Sequence, residues 1–232
     1  MNDLRAIVLG ATGAVGSSLV RELLASPRWA EVTALTRRPV EMFEGVAGRE
    51  KLKIRVVDLD QLERETVAAG RGWEAAFCTM GVGQPRKMAR DEVWKVDVEY
   101  AAAFARGARD GGARHVSLLS SVGADAVSRN FYLRLKGSAE AGVLAAGIPR
   151  TSLFRPSLLV TPEIRYGLQD RITQFVIPLV SPLLPNRYHQ IRVEDLGRAM
   201  RGNAERPGKD GVEILYYEDF IALLATGDSR HE

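Results

Sequence analysis

A glycine-rich stretch near the N-terminus limits the fold of this chain more than any other feature. The apolar run at residues 4–9 leads directly into GATGAVG, residues 10–16, in which glycine occurs at every third position. Residues 14–25 then place apolar side chains on one helical stripe. A buried strand that turns through glycines into a helix is typical of the first unit of a parallel α/β sheet. The sequence therefore predicts an α/β fold that begins with this unit.

The rest of the chain continues the alternation. Strands are predicted at residues 4–9, 31–36, 52–59, 74–80, 115–120 and 150–156, helices at 14–25, 62–69, 91–109, 132–146 and 192–202, and a late strand with a terminal helix within 211–225. Parallel neighbours need a crossover of about a dozen residues, so the alternation predicts a doubly wound, mostly parallel, Rossmann-type sheet. We expect residues 1–232 to form a single domain of this kind. Prolines interrupt residues 157–192, which we expect to form a small substrate-pocket or lid segment.

Composition narrows the function classes. The formal net charge is only +3 and basic residues are scattered among acidic ones, which argues against a nucleic-acid partner. Cys78 is the single cysteine, so it can form no internal disulfide, and a reducing, cytoplasmic location is expected. The longest apolar segment, at residues 175–185, contains three prolines and is too short to span a membrane. The three histidines lack metal-ligand spacing, so no metal is expected.

The glycine loop predicts a site for a dinucleotide. A pyrophosphate needs a tight turn, close approach of the backbone and free N–H groups at a helix N-terminus, and glycines after a first strand supply all three. We expect the cofactor to contact Gly10, Thr12, Gly13, Ala14, Val15 and Gly16.

The end of the second strand indicates which dinucleotide is bound. An acid there accepts hydrogen bonds from the ribose, but this chain has Thr36 followed by Arg37 and Arg38. Two guanidiniums can grip a 2′-phosphate, so NADP(H) is favoured over NAD(H). Further cofactor contacts are expected at the ends of later strands, at Asp58, Leu59, Thr79, Met80, Gly81 and Pro156.

A tyrosine and a lysine follow the fifth strand. Tyr132 and Lys136 are four residues apart on a predicted helix, so they share one face, where both can also contact the cofactor. A cation beside a phenol favours the phenolate, which makes tyrosine usable in proton transfer at neutral pH. Ser120 and Ser121 end the preceding strand, and we favour Ser121 as the hydroxyl that orients a substrate carbonyl.

Several motifs together resemble a known family. GATGAVG, ALTRR, FCTMG, SSVGAD, NFYLRLKG, FRPSLL and VEDLGRAM are similar in order and spacing to the short atypical branch of the short-chain dehydrogenase/reductase superfamily, over almost the whole chain. The resemblance implies an NADP(H)-binding Rossmann fold with Ser121, Tyr132 and Lys136 in the catalytic positions and Arg37 and Arg38 near the 2′-phosphate. Asp97 in WKVDVEY stands where many members of the superfamily carry an asparagine of a proton relay.

These observations favour an NADP(H)-dependent carbonyl reductase, or the reverse alcohol dehydrogenase, acting on a small substrate. A rival hypothesis is an NADPH-binding regulator or sensor with little turnover, which would need the glycine loop and the arginines but not the catalytic set. Epimerase or dehydratase chemistry would reuse the tyrosine and lysine, although the chain is short for a sugar-nucleotide pocket. A homo-oligomer is possible through the helices at residues 91–109 and 132–146.

Overall fold

The computed structural model describes residues 4–82, 87–161 and 186–228 of the chain. The strands are β1 (Leu4–Leu9), β2 (Trp29–Thr36), β3 (Leu52–Val56), β4 (Ala75–Cys78), β5 (His115–Leu119), β6 (Arg150–Phe154), β7 (Leu159–Val160), β8 (Ile191–Arg192) and β9 (Gly211–Leu215). The helices are α1 (Ala14–Ala25), α2 (Leu62–Ala68), α3 (Arg90–Trp94), α4 (Tyr100–Asp110), α5 (Phe131–Leu144), α6 (Val193–Glu205) and α7 (Tyr217–Asp228). Short 3-10 helices lie at Arg49–Lys51, Leu59–Gln61 and Asn186–Tyr188.

Seven of the described strands form one sheet in the order β3-β2-β1-β4-β5-β6-β9, and each adjacent pair is parallel. The chain winds outward from β1 to β3 and then crosses back to β4. In such sheets the reversal point, here between β1 and β4, opens a crevice at the carboxyl ends of the strands. The predicted doubly wound Rossmann sheet is confirmed, and β9 extends it as a seventh parallel strand.

Helices cover both faces of this sheet. In β1, Ala6 and Val8 belong to a core cluster shared with α1, α6 and α7, whereas Ile7 and Leu9 belong to a second cluster shared with α2, α4 and α5. A parallel strand buried on both faces is apolar at every position instead of at alternate ones. This is why the run at residues 4–9 has no polar–apolar alternation.

The helix predicted at residues 91–109 forms over residues 90–110, but it is not regular. A π turn, Lys95–Glu99, separates α3 from α4. Its acidic residue Asp97 is only 4% exposed. Single π turns inside helices occur frequently at functional sites. The sequence pattern alone did not predict this turn.

The lid segment expected at residues 157–192 is described only at its two ends. β7 and β8 pair in parallel there as a two-stranded sheet. Residues 162–185, including the apolar run, lie outside the described residues. Within the described ranges, no helix combines the length and the apolarity needed to cross a bilayer.

A buried polar network joins β5, β6, α6 and β9 at the amino ends of the strands. The Ser152 hydroxyl donates to Glu213 Oε1 over 2.6 Å and accepts from Asn203 Nδ2 over 2.8 Å. His115 Nε2 lies 2.6 Å from the same hydroxyl, and because that hydroxyl's proton goes to Glu213, the imidazole must be the donor. The Arg150 guanidinium completes the network through Glu213 Oε1, 2.8 Å away.

This network makes stability depend on pH through His115. Burial, with the Arg150 charge as a smaller cause, lowers the pKa of His115 to about 3. As pH falls below about 6.5 the unfolded chain binds a proton there and the folded chain does not, so acid favours unfolding. We expect a loss of about 2 kcal/mol in unfolding free energy between pH 6.5 and pH 5 from this residue. Urea denaturation at both pH values should show that loss in the natural chain and not in His115→Gln, which keeps a donor for Ser152. An equal loss in both proteins would contradict the assignment.

Candidate functional site

The glycine loop between β1 and α1 is built for close contact. Gly10 has a φ of 90°, and a Cβ there would lie 2.5 Å from the Met80 backbone nitrogen. A Cβ on Gly16 would lie 2.1 Å from the Gly10 carbonyl oxygen and 2.5 Å from Thr79 Oγ1. These two positions therefore require glycine so that the loop can pack against the end of β4. Gly13 is different, because a Cβ there would have one neighbour within 4 Å, at 3.4 Å.

The amino end of α1 is available to an anion. Its N-cap is Gly13, with no side-chain cap and no acidic residue in the first turn. The N–H groups of the first helical turn have no partner within the helix and carry the positive end of the helix dipole. The predicted contacts at Ala14 and Val15 can be made through these N–H groups, since the Val15 side chain is buried in the core.

Thr79 holds this loop in place. Its hydroxyl lies 3.2 Å from the carbonyl oxygens of both Leu9 and Gly10, and its own N–H donates to the Leu9 carbonyl over 2.9 Å. The loop and the end of β4 are therefore locked together. The hydroxyl is thus engaged with the loop backbone, and the cofactor contact expected at Thr79 remains a prediction.

An open cleft of about 910 Å³ follows the carboxyl ends of β1, β2 and β4. It is lined by Leu9, Gly10, Thr12, Gly13, Leu35, Thr36, Arg37, Arg38, Pro39, Val40, Leu59, Thr79, Met80, Gly81, Val82, Lys87, Met88 and Val96. None of these lining residues is acidic, whereas Arg37, Arg38 and Lys87 are cationic. Arg37 and Arg38 are exposed and form no ion pair with any described residue. The cleft therefore suits a long ligand that carries phosphates.

The two loop glycines give a direct test of this packing. Gly16→Ala should lower the unfolding free energy by about 1–3 kcal/mol, because the new methyl group meets backbone atoms that must shift. Gly13→Ala should change it by less than about 1 kcal/mol, because the added methyl has space. Urea denaturation of the two variants distinguishes them, and equal losses would show that the described packing is wrong.

Asp58 does not line the cleft. Its carboxylate caps the following 3-10 helix by accepting from the Asp60 N–H over 3.0 Å. The next residue, Leu59, lines the cleft. The cofactor contacts expected at Asp58 and Leu59 remain predictions.

The helix α5 presents Tyr132 and Lys136 on one face. Its N-cap Asn130 accepts hydrogen bonds from the N–H groups of Tyr132 and Leu133 over 2.9 and 3.3 Å, which fixes the start of the helix. Lys136 Nζ lies 5.9 Å from the centre of the Tyr132 ring. The tyrosine is 40% exposed and the lysine is buried, so the phenol faces solvent while the ammonium lies beneath it.

Asp97 binds Lys136 at the wall of the cleft. Lys136 Nζ donates to Asp97 Oδ2 over 2.9 Å, and the Val82 N–H donates to Asp97 Oδ1 over 2.8 Å. A Cβ on Gly81 would be 3.3 Å from both Lys136 Nζ and Asp97 Oδ2. Burial opposes the charge on Lys136, but the attraction of Asp97 and Tyr132 outweighs it and the pKa of Lys136 is raised. Because Gly81 lines the cleft, this ion pair lies directly behind the cleft wall.

The two candidate serines have different surroundings. Ser120 Oγ donates to the buried carboxylate of Glu140. Ser121 Oγ is also buried, but its one described contact is a long 3.3 Å hydrogen bond to the neighbouring Val122 carbonyl. Of the two hydroxyls, that of Ser121 is the less firmly held within the described residues, and its predicted role toward a substrate remains a prediction. Pro156 accepts from the Val122 N–H over 3.0 Å, which brings this predicted cofactor contact next to Ser121.

Glu140 and Arg155 form an ion pair beside Ser120 that the sequence analysis missed. Arg155 donates to both oxygens of Glu140, over 2.8 and 2.5 Å, and to the Tyr216 hydroxyl over 3.2 Å. The hydrogen bond with Glu140 raises the pKa of Arg155. Burial opposes this rise but has the smaller effect. The pair supports the strand end that carries Ser121. The sequence contained a signal for Glu140. It follows Lys136 by four residues, the same spacing that separates Lys136 from Tyr132, so all three share one face of α5.

Comparison with known proteins agrees with this geometry. Residues 10–175 match a family described as NAD(P)H-binding. The chain is 31% identical to Protein HTATIP2 of Rattus norvegicus, over 98% of this chain and 92% of the relative. It is 28% identical to the mitochondrial Protein fmp52 of Emericella nidulans, over 92% of this chain and 96% of the relative.

Solved structures share the fold at low identity. MoeE5 in complex with UDP-glucose and NAD superposes with a TM-score of 0.68 and 19% identity, covering 97% of this chain and 82% of that one. A putative NAD-dependent epimerase/dehydratase from Bacillus halodurans gives a TM-score of 0.64 and 20% identity, covering 90% and 91%. These likenesses establish the Rossmann architecture of NAD-binding enzymes.

The expected cytoplasmic location is wrong. Relatives matched over 74%, 92% and 93% of this chain, from Debaryomyces hansenii, Emericella nidulans and Candida albicans, are named mitochondrial proteins. The prediction rested on the single cysteine of the sequence, which indicates reducing surroundings and does not distinguish one reducing compartment from another.

The expected family resemblance is confirmed by both comparisons of sequence. The model match includes the glycine loop, the cleft residues and the helix that carries Tyr132 and Lys136. The chain therefore belongs to the NAD(P)H-binding family, within the atypical short-chain dehydrogenase/reductase branch.

Proposed function

We propose that the protein is an NADP(H)-dependent oxidoreductase that transfers hydride between a nicotinamide and a small carbonyl or alcohol substrate. The observation that carries the proposal is the position of α5. Its lysine lies beside Gly81 of the cleft wall, where an added Cβ would be 3.3 Å from Lys136 Nζ, while its tyrosine, one turn away, faces solvent. A ligand in the cleft and a substrate at its mouth would thus meet at this helix.

The residues present fit a dinucleotide. Gly10 and Gly16 leave no room for a Cβ, the α1 N-terminus has free N–H groups, and the cleft volume is about 910 Å³. The residues proposed to hold the cofactor are Gly10, Thr12, Gly13, Ala14, Val15, Gly16, Arg37, Arg38, Leu59, Met80, Gly81, Lys136 and Pro156. When bound, the nicotinamide supplies or accepts the hydride.

Three side chains of this protein would handle the substrate oxygen during reduction. The Ser121 hydroxyl donates a hydrogen bond to the substrate carbonyl and holds it for hydride attack. Tyr132 then gives its phenolic proton to the oxygen as alkoxide character develops. The Lys136 ammonium stabilises the phenolate that remains, and a proton from solvent restores the phenol. Oxidation of an alcohol runs through the same groups in reverse.

The preference for NADP(H) is supported by the end of β2. Arg37 and Arg38 are exposed there and have no ion-pair partner among the described residues, and the described residues that line the cleft include no acid. Guanidiniums bind phosphate through paired hydrogen bonds, and an additional 2′-phosphate would find two of them.

Substituting both arginines tests this preference. Arg37→Ala/Arg38→Ala should weaken NADPH binding about 10- to 100-fold and NADH binding by no more than about threefold, since only NADPH carries the additional phosphate. Titration calorimetry with both cofactors measures the difference. The matched control is Arg106→Ala/Arg109→Ala on α4, which removes the same charge at residues that do not line the cleft. Equal weakening for NADPH and NADH, or an equal effect of the control, would contradict the role assigned to Arg37 and Arg38.

The activity itself is tested with a panel of small aldehydes and ketones. We expect oxidation of NADPH with at least one carbonyl, faster than oxidation of NADH. Tight NADPH binding with no turnover on any carbonyl would instead favour the regulator hypothesis.

A further inference from the structure

Asp97 lies between two hydrogen-bond donors. One is the Val82 N–H, 2.8 Å from Oδ1, and the other is the Lys136 ammonium, 2.9 Å from Oδ2. Neither donor can act as an acceptor, so the side chain between them must offer two acceptor oxygens. An asparagine offers one, and its NH₂ group would face either the amide or the ammonium. The geometry therefore demands a carboxylate at this position.

The π turn explains how this carboxylate reaches the cleft. In Lys95–Glu99, between α3 and α4, the helical hydrogen-bond pattern is widened by one residue, and Asp97 is buried within this turn. Its side chain is 2% exposed and that of Lys136 is 11% exposed. The pair is thus removed from water on both sides.

We propose that Asp97 is a positioning residue whose carboxylate keeps the buried Lys136 ammonium charged and fixed beside Gly81, and that this charge sets the upper pH limit of proton transfer by Tyr132. The inference rests on the proposed function for the part played by Tyr132. The bond between Asp97 and Lys136 is independent of it.

The other groups facing Lys136 cannot replace Asp97. Tyr132 on the same helix is a phenol that carries no charge when it acts as a proton donor. Cys78, at the end of β4, is the remaining titratable neighbour, and burial raises the pKa of its thiol to about 12. Asp97 is thus the one full negative charge in direct contact with Lys136 among the described residues.

Loss of the carboxylate would have a predictable direction. A lysine buried without a partner loses its proton more readily, and such groups titrate several pH units below an ordinary lysine. A neutral amine no longer stabilises the phenolate left by proton transfer. The decline of kcat for carbonyl reduction at high pH should then begin at a lower pH.

The test follows Lys136 directly by NMR in the cofactor-free protein, with lysine labelled by ¹³C at Cε. The chain has few lysines, and Lys136→Met identifies the signal by its loss. In Asp97→Asn we expect the midpoint of the Lys136 titration to fall by at least about two pH units. The pH at which kcat for reduction declines on the alkaline side should also be lower in this variant. A Lys136 midpoint within half a pH unit of the natural protein would overturn the proposal.

Glu140, a buried carboxylate on the helix α5 that also carries Lys136, gives the matched control. Glu140→Gln removes a buried acid that pairs with Arg155 and Ser120, not with Lys136, so the Lys136 midpoint should move by less than about half a pH unit. An equal shift in Glu140→Gln would contradict the assignment to Asp97. Where Asp97→Asn does not fold, Asp97→Ser removes the same charge with a smaller side chain. Because the titration needs neither cofactor nor turnover, its result is separate from that of the carbonyl panel.

Discussion

Replacing Tyr132 by phenylalanine should lower kcat for carbonyl reduction by about 10²- to 10⁴-fold, the usual contribution of a positioned proton donor. Phenylalanine keeps the ring whose centre lies 5.9 Å from Lys136 Nζ and removes only the hydroxyl. NADPH binding should therefore stay within about twofold of the natural value, because the glycine loop and the arginines are unchanged. Single-turnover kinetics and cofactor titration measure the two effects separately.

Tyr100→Phe is the matched control for this variant. The Tyr100 hydroxyl donates to Asp60 Oδ1 over 2.6 Å, so the substitution also removes a phenol that is engaged in the fold. Its kcat should remain within about twofold. Full activity in Tyr132→Phe, or an equal loss in Tyr100→Phe, would remove Tyr132 from the mechanism.

Replacing Lys136 by methionine should lower the unfolding free energy by about 3–5 kcal/mol. The substitution leaves the Asp97 carboxylate buried with one backbone N–H as its remaining partner, and an uncompensated buried charge is costly. Urea denaturation at neutral pH measures the loss.

Two further variants of this chain show whether the loss of unfolding free energy comes from the unpaired charge of Asp97. Lys53→Met breaks an ion pair with Glu31 in which the lysine is 62% exposed, and it should cost less than about 1 kcal/mol. Adding Asp97→Asn to Lys136→Met should restore stability relative to Lys136→Met alone, because it removes the stranded charge. A loss no larger than that of Lys53→Met, or no recovery in the double variant, would contradict a buried, charged Asp97.

The sheet could be predicted because its signals are local. An apolar run followed by spaced glycines predicts β1 and α1, and strands separated by helices imply parallel pairing and its right-handed crossovers. The π turn could not be predicted, because helical periodicity across residues 91–109 carries no mark of one widened turn. The polar network of His115, Ser152, Asn203 and Glu213 was equally hidden, since its members come together only once β5, β6, α6 and β9 have assembled.

The candidate site was predicted where chemistry follows spacing along the chain. Tyr132 and Lys136 share a face of α5 because they are four residues apart, and Ser121 follows β5 at the same edge of the sheet. The partners of these residues depend on tertiary contacts. Asp97 is 39 residues from Lys136, so its direct ion pair was not foreseen. The Asp58 carboxylate accepts a hydrogen bond from the Asp60 N–H within its own turn, a local capping interaction that the strand pattern did not predict.

Transfer of isotope from labelled cofactor tests the central claim most directly. The protein is incubated with NADPH deuterated at nicotinamide C4, prepared separately with each stereochemistry, and with the panel of small carbonyls, and the products are analysed by mass spectrometry. The proposed function predicts one deuterium at the former carbonyl carbon of an alcohol product from one of the two cofactors, and none with Tyr132→Phe in the same time. NADPH bound in the cleft, with no deuterium in any product from either cofactor, would contradict it.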